Sequence, residues 1–180
     1  MTEAMTGAVS FHLAFPVGDI ASTKAFYADG LGCEVGRETS ASVILNLFGH
    51  QLVAHLTRDP IAPQKGIYPR HFGLIFSRLE DWQTLEHRAR TQGLPFYEDP
   101  KWRFVDTPLE HATFFLRDPF ENLLEFKFYR HTSAIFGEHD WKQIGDAPAT
   151  EDISNSSEAN SPEATETADT EKARPVEAIR

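Results

Sequence analysis

The sequence has a single cysteine, no long apolar run and no cluster of basic residues. Cys33 therefore cannot form an internal disulfide or a two-cysteine metal or redox motif, and a reducing cytoplasm is the predicted compartment. No segment reaches the roughly 18 consecutive apolar residues of a transmembrane helix, and the opening MTEAMTGAVS lacks the features of a signal peptide. A net charge of −10 argues against binding to nucleic-acid phosphates. The expected partners are small molecules, with neither nucleic acid nor membrane among them.

Segment 146–180 lacks aromatic residues and has almost no large aliphatic ones. It contains nine acidic residues against three basic ones, so it carries most of the negative charge of the chain. Such a composition cannot bury enough apolar surface to offset the entropy lost on ordering. We therefore predict a disordered acidic tail.

The remaining chain, about residues 9–137, contains two similar halves. In the first, the apolar segment SFHLAFPV precedes a helical pattern, DIASTKAFYADGLG, and three further strand-like segments follow. The second half repeats this order, from RHFGLIF through the helical LEDWQTLEHRARTQGL to NLLEFKFY. The sequence thus predicts an α+β fold of two βαβββ modules, about 9–58 and 70–131, joined by the proline-containing linker 59–69.

The two halves can be aligned at either end. Matching His12 with His71 shifts the sequence by 59 residues and superposes apolar positions along both first strands. Matching the last strands, LVAHL with NLLEF, superposes His55 on Glu125 with a shift of 70. The second module therefore has about eleven extra residues, which we place in the segment EDPKWRFVDTPLEH.

These alignments place four ligand-type side chains at repeat-equivalent positions. If the modules pack about a pseudo-twofold axis, the four converge, and imidazole and carboxylate groups suit Fe(II), Mn(II), Ni(II) or Zn(II). A histidine in an apolar strand is more often a hydrogen-bonded core residue than a ligand. Glu125, however, lies among apolar neighbours, where an unpaired carboxylate is costly, so it requires a metal or a cationic partner. The predicted metal ligands are His12, His55, His71 and Glu125.

The two modules, these residues and the segment DPFENLLEF at 118–126 resemble the vicinal oxygen chelate superfamily, which includes glyoxalase I, fosfomycin- and bleomycin-resistance proteins and extradiol dioxygenases. The resemblance implies a curved mixed-sheet cup holding a divalent metal that chelates neighbouring oxygens of a substrate. It also implies a homodimer, in which modules are sometimes exchanged so that a site takes ligands from both chains. The family motif D-P-x-G-N-x-x-E is altered here, because Glu121 replaces the glycine. By position, the resemblance implies His12, His71 and Glu125 as ligands, with His55 as a fourth.

Three functions are compatible with this resemblance. A metal-dependent lyase or isomerase of glyoxalase type is the main hypothesis, with Glu125 as the base that moves a proton. An Fe(II)-dependent dioxygenase is the second, with His111 as acid or base, although Phe115 stands where extradiol dioxygenases have tyrosine. The third is a non-catalytic resistance-type binding protein, which the four ligand-type side chains disfavour.

In each of these functions, the extra segment of the second module is predicted to contact the substrate. Arg103 could hold an anionic group, Trp102 could stack on a flat one, and Tyr97 lies in the same segment. The alternative is that these aromatic side chains only cover the edge of the sheet.

Overall fold

The computed structural model describes residue 7 and residues 9–145. The predicted acidic tail lies outside the described residues. Met1–Glu138 forms one unit, and residues 139–145 are the described part of a second. No helix in the described part of the chain is long and apolar enough to cross a membrane. In chain order the elements are β1 (His12–Val17), α1 (Ile20–Lys24) continuing into a π-helical turn (Ala25–Gly30), β2 (Glu34–Glu38), β3 (Ser42–Leu47), β4 (His50–Leu56), β5 (Phe72–Phe76), α2 (Leu79–Thr91), β6 (Phe96–Arg103), β7 (His111–Arg117), β8 (Leu123–Tyr129) and a 3₁₀ turn (Thr132–Ile135).

The strands form two four-stranded sheets, ordered β1-β4-β3-β2 and β5-β8-β7-β6. In each sheet the first strand of the module pairs in parallel with the last, and the other pairs are antiparallel. The predicted α+β fold of two βαβββ modules is therefore confirmed. Because each module repeats the same pairing, the two halves can be compared residue by residue.

Alternation along the strands divides each sheet into a core face and an opposite face. On β8, Leu124 and Phe126 are fully buried in one core cluster that receives side chains from both modules. Glu125 lies between them and points to the opposite face, because neighbouring residues of a strand project to opposite sides. The core face thus holds the modules together, whereas the opposite face is available for polar side chains.

The Asp118 carboxylate joins the two modules. Its Oδ2 accepts a hydrogen bond from the buried Tyr27 hydroxyl of the first module at 3.0 Å, and its Oδ1 accepts from the backbone N–H groups of Phe120 and Asn122. Asn122 Nδ2 donates to the Pro16 carbonyl oxygen at 3.1 Å. Burial raises the pKa of Asp118, which the hydrogen bonds counteract in part. The Asp-Pro-Phe-Glu-Asn turn is therefore a structural connection between modules.

Glu121, the residue that replaces the motif's glycine, has φ = 64°. This left-handed conformation is unfavourable for residues with a Cβ and is the one that glycine adopts easily. Glu121 therefore has a backbone conformation that a glycine would adopt more easily. The Glu121 carboxylate is partly exposed to solvent and lies 3.5 Å from Arg117 Nη1.

The extra residues of the second module fall where the sequence places them. Strand β6 is three residues longer than β2 and has two register irregularities against β7, between Phe96 and Glu98 and between Glu98 and Lys101. Residues 104–110 then connect β6 to β7.

Gly73 permits the close approach of β5 to β8. A Cβ at this position would lie 1.6 Å from the backbone oxygen of Glu125, so Gly73→Ala forces the two strands apart. We expect the substitution to lower the free energy of unfolding by about 1–3 kcal/mol, measured by urea denaturation. Gly36→Ala is the control, because a Cβ there meets Ile44 at an ordinary 3.4 Å. Equal denaturation midpoints for the two variants would contradict this explanation.

Candidate metal centre

The Glu125 carboxylate is 7% exposed and is surrounded by three donors. Thr113 Oγ1 donates to Oε1 at 2.8 Å, while His71 Nε2 and Lys127 Nζ each lie 3.1 Å from Oε2. Burial acts to raise the pKa of Glu125. The hydrogen bonds from His71 and Thr113 and the charge of Lys127 act in the opposite direction and outweigh burial, so the pKa of Glu125 is lowered. Glu125 is thus an ionised carboxylate in a mostly buried site.

His71 is oriented by a backbone carbonyl. Its Nδ1 lies 2.7 Å from the Ile67 oxygen, and because a carbonyl only accepts, Nδ1 carries a proton. Nε2 then faces Glu125 Oε2. In a neutral imidazole this nitrogen would carry a lone pair, which the negatively charged carboxylate oxygen would repel. A cation must lie between them, either a proton or a metal ion. Without metal it is a proton, and the hydrogen bond to Glu125 accordingly raises the pKa of His71.

The same two atoms suit a first-row divalent metal. A histidine ligand usually donates its other ring N–H to a carbonyl or carboxylate, as His71 does to Ile67. Neighbouring ligand atoms about 2.1 Å from one metal are about 3 Å apart, close to the observed 3.1 Å. Within residue 7 and residues 9–145, however, no three His, Cys, Asp or Glu side chains are grouped to hold a metal ion. Of the four predicted ligands, only His71 and Glu125 therefore lie together within the described residues.

His12 lies on the first sheet, separate from the His71–Glu125 pair. Its Nδ1 donates to Gln51 Oε1 at 2.7 Å, and the two residues are directly opposite in the pairing of β1 with β4. Both project away from the core, and His12 is exposed. The imidazole can therefore offer Nε2 as a ligand, with the Gln51 amide beside it.

His55 does not lie beside His12. It is opposite Pro16, four residues beyond Gln51, which is roughly 13 Å along a strand.

The strand pairing also corrects the alignment of the two modules. Ala14 pairs with Val53 as its equivalent Gly73 pairs with Glu125, so the repeat partner of Glu125 is Val53 and the sequence alignment was wrong by two residues. The expected convergence of all four residues does not occur within the described chain.

His111 lies on the same side of β7 as Thr113. It is 3% exposed, and its Nδ1 donates to the Leu109 carbonyl oxygen at 2.9 Å. Its Nε2 is buried without a hydrogen-bond partner among the described residues. Burial lowers the pKa of His111, so the imidazole is neutral with a lone pair on Nε2.

Arg103 and Tyr97 share this face of the second sheet. Arg103 pairs with His111 across β6 and β7, is largely buried, and has its Nη2 3.8 Å from the Glu98 carboxylate. Tyr97 packs against a small apolar cluster of Ile67, Phe115 and Leu123. Both residues are thus on the side of the sheet that carries Glu125.

Trp102 lies on the other face. It pairs with the core residue Ala112, its ring packs edge-on against Phe128 at 6.3 Å, and the Arg130 guanidinium lies 4.7 Å from its centroid. Strand alternation therefore turns the indole away from the face that carries Glu125. These contacts favour the alternative that Trp102 covers the sheet edge, and its stacking on a substrate stays a prediction.

Both the sequence and the fold of this chain are similar to those of known proteins. The family model of the glyoxalase/bleomycin resistance protein/dioxygenase superfamily matches residues 10–126. The chain belongs to this superfamily. No curated protein matches the chain.

Solved structures of the superfamily share the fold. A glyoxalase/bleomycin resistance protein/dioxygenase from Alicyclobacillus acidocaldarius is 40% identical, with a TM-score of 0.69, and the match covers 73% of this chain and 100% of that one. The fosfomycin resistance protein FosX of Listeria monocytogenes is 16% identical with a TM-score of 0.54, covering 72% and 99% of the two chains. Lactoylglutathione lyase from Agrobacterium tumefaciens is 17% identical with a TM-score of 0.51, covering 69% and 96%. At such identities the last two show the fold alone.

Three residues around the site were missed at the sequence level. Gln51, Thr113 and Lys127 contact His12 or Glu125, although none was proposed as part of the site. Lys127 could have been found from strand periodicity, because residues i and i+2 share a face. Gln51 and Thr113 depend on which strands pair and in what register, which the superfamily resemblance did not specify.

Removing the Thr113 hydroxyl tests the environment of Glu125. Thr113→Val leaves Oε1 of a buried carboxylate without its donor, so we expect a loss of about 1.5–3 kcal/mol in the free energy of unfolding of the metal-free protein. The control is Thr84→Val, which loses a hydroxyl bonded to the Glu80 carbonyl on an exposed helix surface and is expected to change stability by less than about 0.5 kcal/mol. The same loss in both variants, measured by urea denaturation, would show that the hydroxyl does not support the carboxylate.

Proposed function

We propose that this chain is a divalent-metal-dependent enzyme of lyase or isomerase type that acts on a small molecule with vicinal oxygens. One observation carries the proposal. His71 has its Nδ1 proton committed to a carbonyl, and its Nε2 faces a buried, ionised carboxylate at 3.1 Å. This pair needs a cation, and its atoms are those that bind Fe, Mn, Ni or Zn.

The proposal takes the remaining ligands from a second copy of the chain in a homodimer. His71 and Glu125 lie on one sheet and His12 on the other, each on a face turned away from the shared core. A first module from a partner could bring its His12 opposite the His71–Glu125 pair. Gln51, which contacts His12, could then provide the fourth ligand. His55, the predicted fourth ligand, lies roughly 13 Å farther along β4, beyond the reach of an ion bound by His12.

The chain's own residues divide the proposed chemistry among them. A bound divalent ion supplies Lewis-acid polarisation of substrate oxygens, which stabilises developing negative charge. Glu125 is ionised and can accept a proton from a carbon beside those oxygens, while Thr113 holds its other oxygen in place. His111, with a neutral Nε2, is a second proton acceptor, and Arg103 and Tyr97 are the proposed substrate contacts. Phe115 packs edge-on against His71 at 5.4 Å, so no hydroxyl is present there, which supports a lyase or isomerase over a catechol-cleaving dioxygenase.

Metal binding and its dependence on two chains are tested together. We expect the protein to bind about one Mn²⁺, Ni²⁺ or Zn²⁺ per chain, and expect His12→Ala and His71→Ala each to weaken binding at least about 100-fold, measured by calorimetry. His87→Ala, on helix α2, is the control and should bind as the wild type does.

Mixing the two variants distinguishes a shared site from an internal one. If each site combines His12 of one chain with His71 of the other, refolding an equal mixture of His12→Ala and His71→Ala restores about a quarter of the sites, because half of the dimers are mixed and each mixed dimer has one intact site. Recovery of no sites in the mixture would contradict the shared site, because a site built within one chain is lost in both variants.

The reaction type is tested with dihydroxyacetone, which has a carbonyl beside a hydroxyl. In D₂O, we expect the metal-loaded protein to exchange the carbon-bound protons next to the carbonyl at least about tenfold faster than the metal-free protein, followed by NMR. Glu125→Gln at saturating metal should lower this rate by about 10²-fold or more, since the base is lost. Oxygen consumption by the Fe(II)-loaded protein without proton exchange would instead indicate a dioxygenase, and tight binding with neither reaction would indicate a binding protein.

A further inference from the structure

Lys127 occupies an unusual position for a lysine beside a metal-ligand candidate. It lies two residues after Glu125 on β8, on the same face, and its Nζ is 3.1 Å from Glu125 Oε2. The side chain is 21% exposed, so the ion pair is partly shielded from water. His71 Nε2 approaches that same oxygen at 3.1 Å. The same carboxylate oxygen is thus both the proposed metal ligand and the partner of the Lys127 ammonium group.

Lys127 and a divalent ion would compete for this oxygen. Both are attracted to the negative charge of Glu125, and each repels the other at such short range. The other oxygen, Oε1, is held by the Thr113 hydroxyl, which does not carry charge. Lys127 is therefore the group that has to give way when metal binds at Oε2.

The surroundings of Lys127 indicate what it would meet after release. Across the strands, Thr113 lies between Lys127 and Lys101, and the next row on the same face contains Arg103 and His111. The carboxylate of Glu98 on β6 already pairs with Lys101 at 2.8 Å. A released Lys127 ammonium would therefore be a cation beside the His71–Glu125 pair, with positive and neutral neighbours. An anion from outside the chain would neutralise it best.

We propose that Lys127 is a displaceable counter-ion, which neutralises Glu125 in the metal-free protein and binds the anionic group of the substrate once metal has taken the carboxylate. This inference rests on the proposed metal site and adds a substrate class. The substrate carries a negative group next to its metal-binding oxygens. Lys127 is then a specificity-determining residue rather than a structural one.

Metal titration gives the first test. With Mn²⁺ and calorimetry, Lys127→Met should bind metal about tenfold more tightly than the wild type, because its competitor is gone. Lys127→Arg keeps the charge and should remain close to the wild type. Lys101→Met removes the same charge from the same face without touching Glu125, so it should change affinity by less than about threefold.

Ligand selectivity gives the second test. Dihydroxyacetone phosphate and dihydroxyacetone share a keto group beside a hydroxyl and differ by an anionic phosphate. The Mn²⁺-loaded wild type should bind the phosphate ester at least tenfold more tightly, and Lys127→Met should lose that preference whereas Lys127→Arg retains it.

The outcomes separate this inference from the function on which it rests. Equal metal affinity in all variants, weaker binding in Lys127→Met, or a preference for the phosphate ester that survives in Lys127→Met would overturn the role of Lys127 alone. The absence of metal binding in every protein, wild type included, would overturn the proposed function and the counter-ion role with it.

Discussion

A buried carboxylate has to be neutralised, and three side chains of the second module meet that requirement at Glu125. Its two oxygens receive a hydroxyl, an imidazole and an ammonium group, all from residues that are close in the sheet or in the loop before β5. Leu124 and Phe126, the neighbours of Glu125 along β8, build the core on the other face of the same strand. Stability of the module and chemistry at the carboxylate are therefore coupled, because any cation that replaces another changes both.

The two faces of each sheet have different roles: one packs in the core, and the other carries polar side chains. The core faces pack together and are joined by Asp118, Tyr27 and Asn122, so the relation between the modules in one chain is fixed by buried contacts. The opposite faces carry His12 on one sheet and Glu125 on the other. Within one chain these groups therefore lie on separate faces, and the proposed homodimer would place His12 of one chain opposite the His71–Glu125 pair of the other.

The sequence predicted the module order, the position of the extra segment and the need of Glu125 for a cationic partner, because these depend on local periodicity and on the cost of burying an isolated charge. It failed where the answer depends on pairing between strands. His55 was aligned with Glu125 without knowledge of the register, which is shifted by two residues. Trp102 was placed at the site because the irregularities in β6, which decide its face, leave no signal in the residue pattern. Convergence of His12 with His71 depends on packing between modules, which no single strand encodes.

The proposed function requires a metal ion between His71 Nε2 and Glu125 Oε2. Anomalous diffraction at the absorption edge of the metal, from crystals of the protein saturated with Zn²⁺, tests this most directly. We expect an anomalous peak about 2.0–2.2 Å from both atoms, with Lys127 moved off the carboxylate. A peak elsewhere in saturated crystals, with His71, Lys127 and Glu125 still in direct contact, would contradict it.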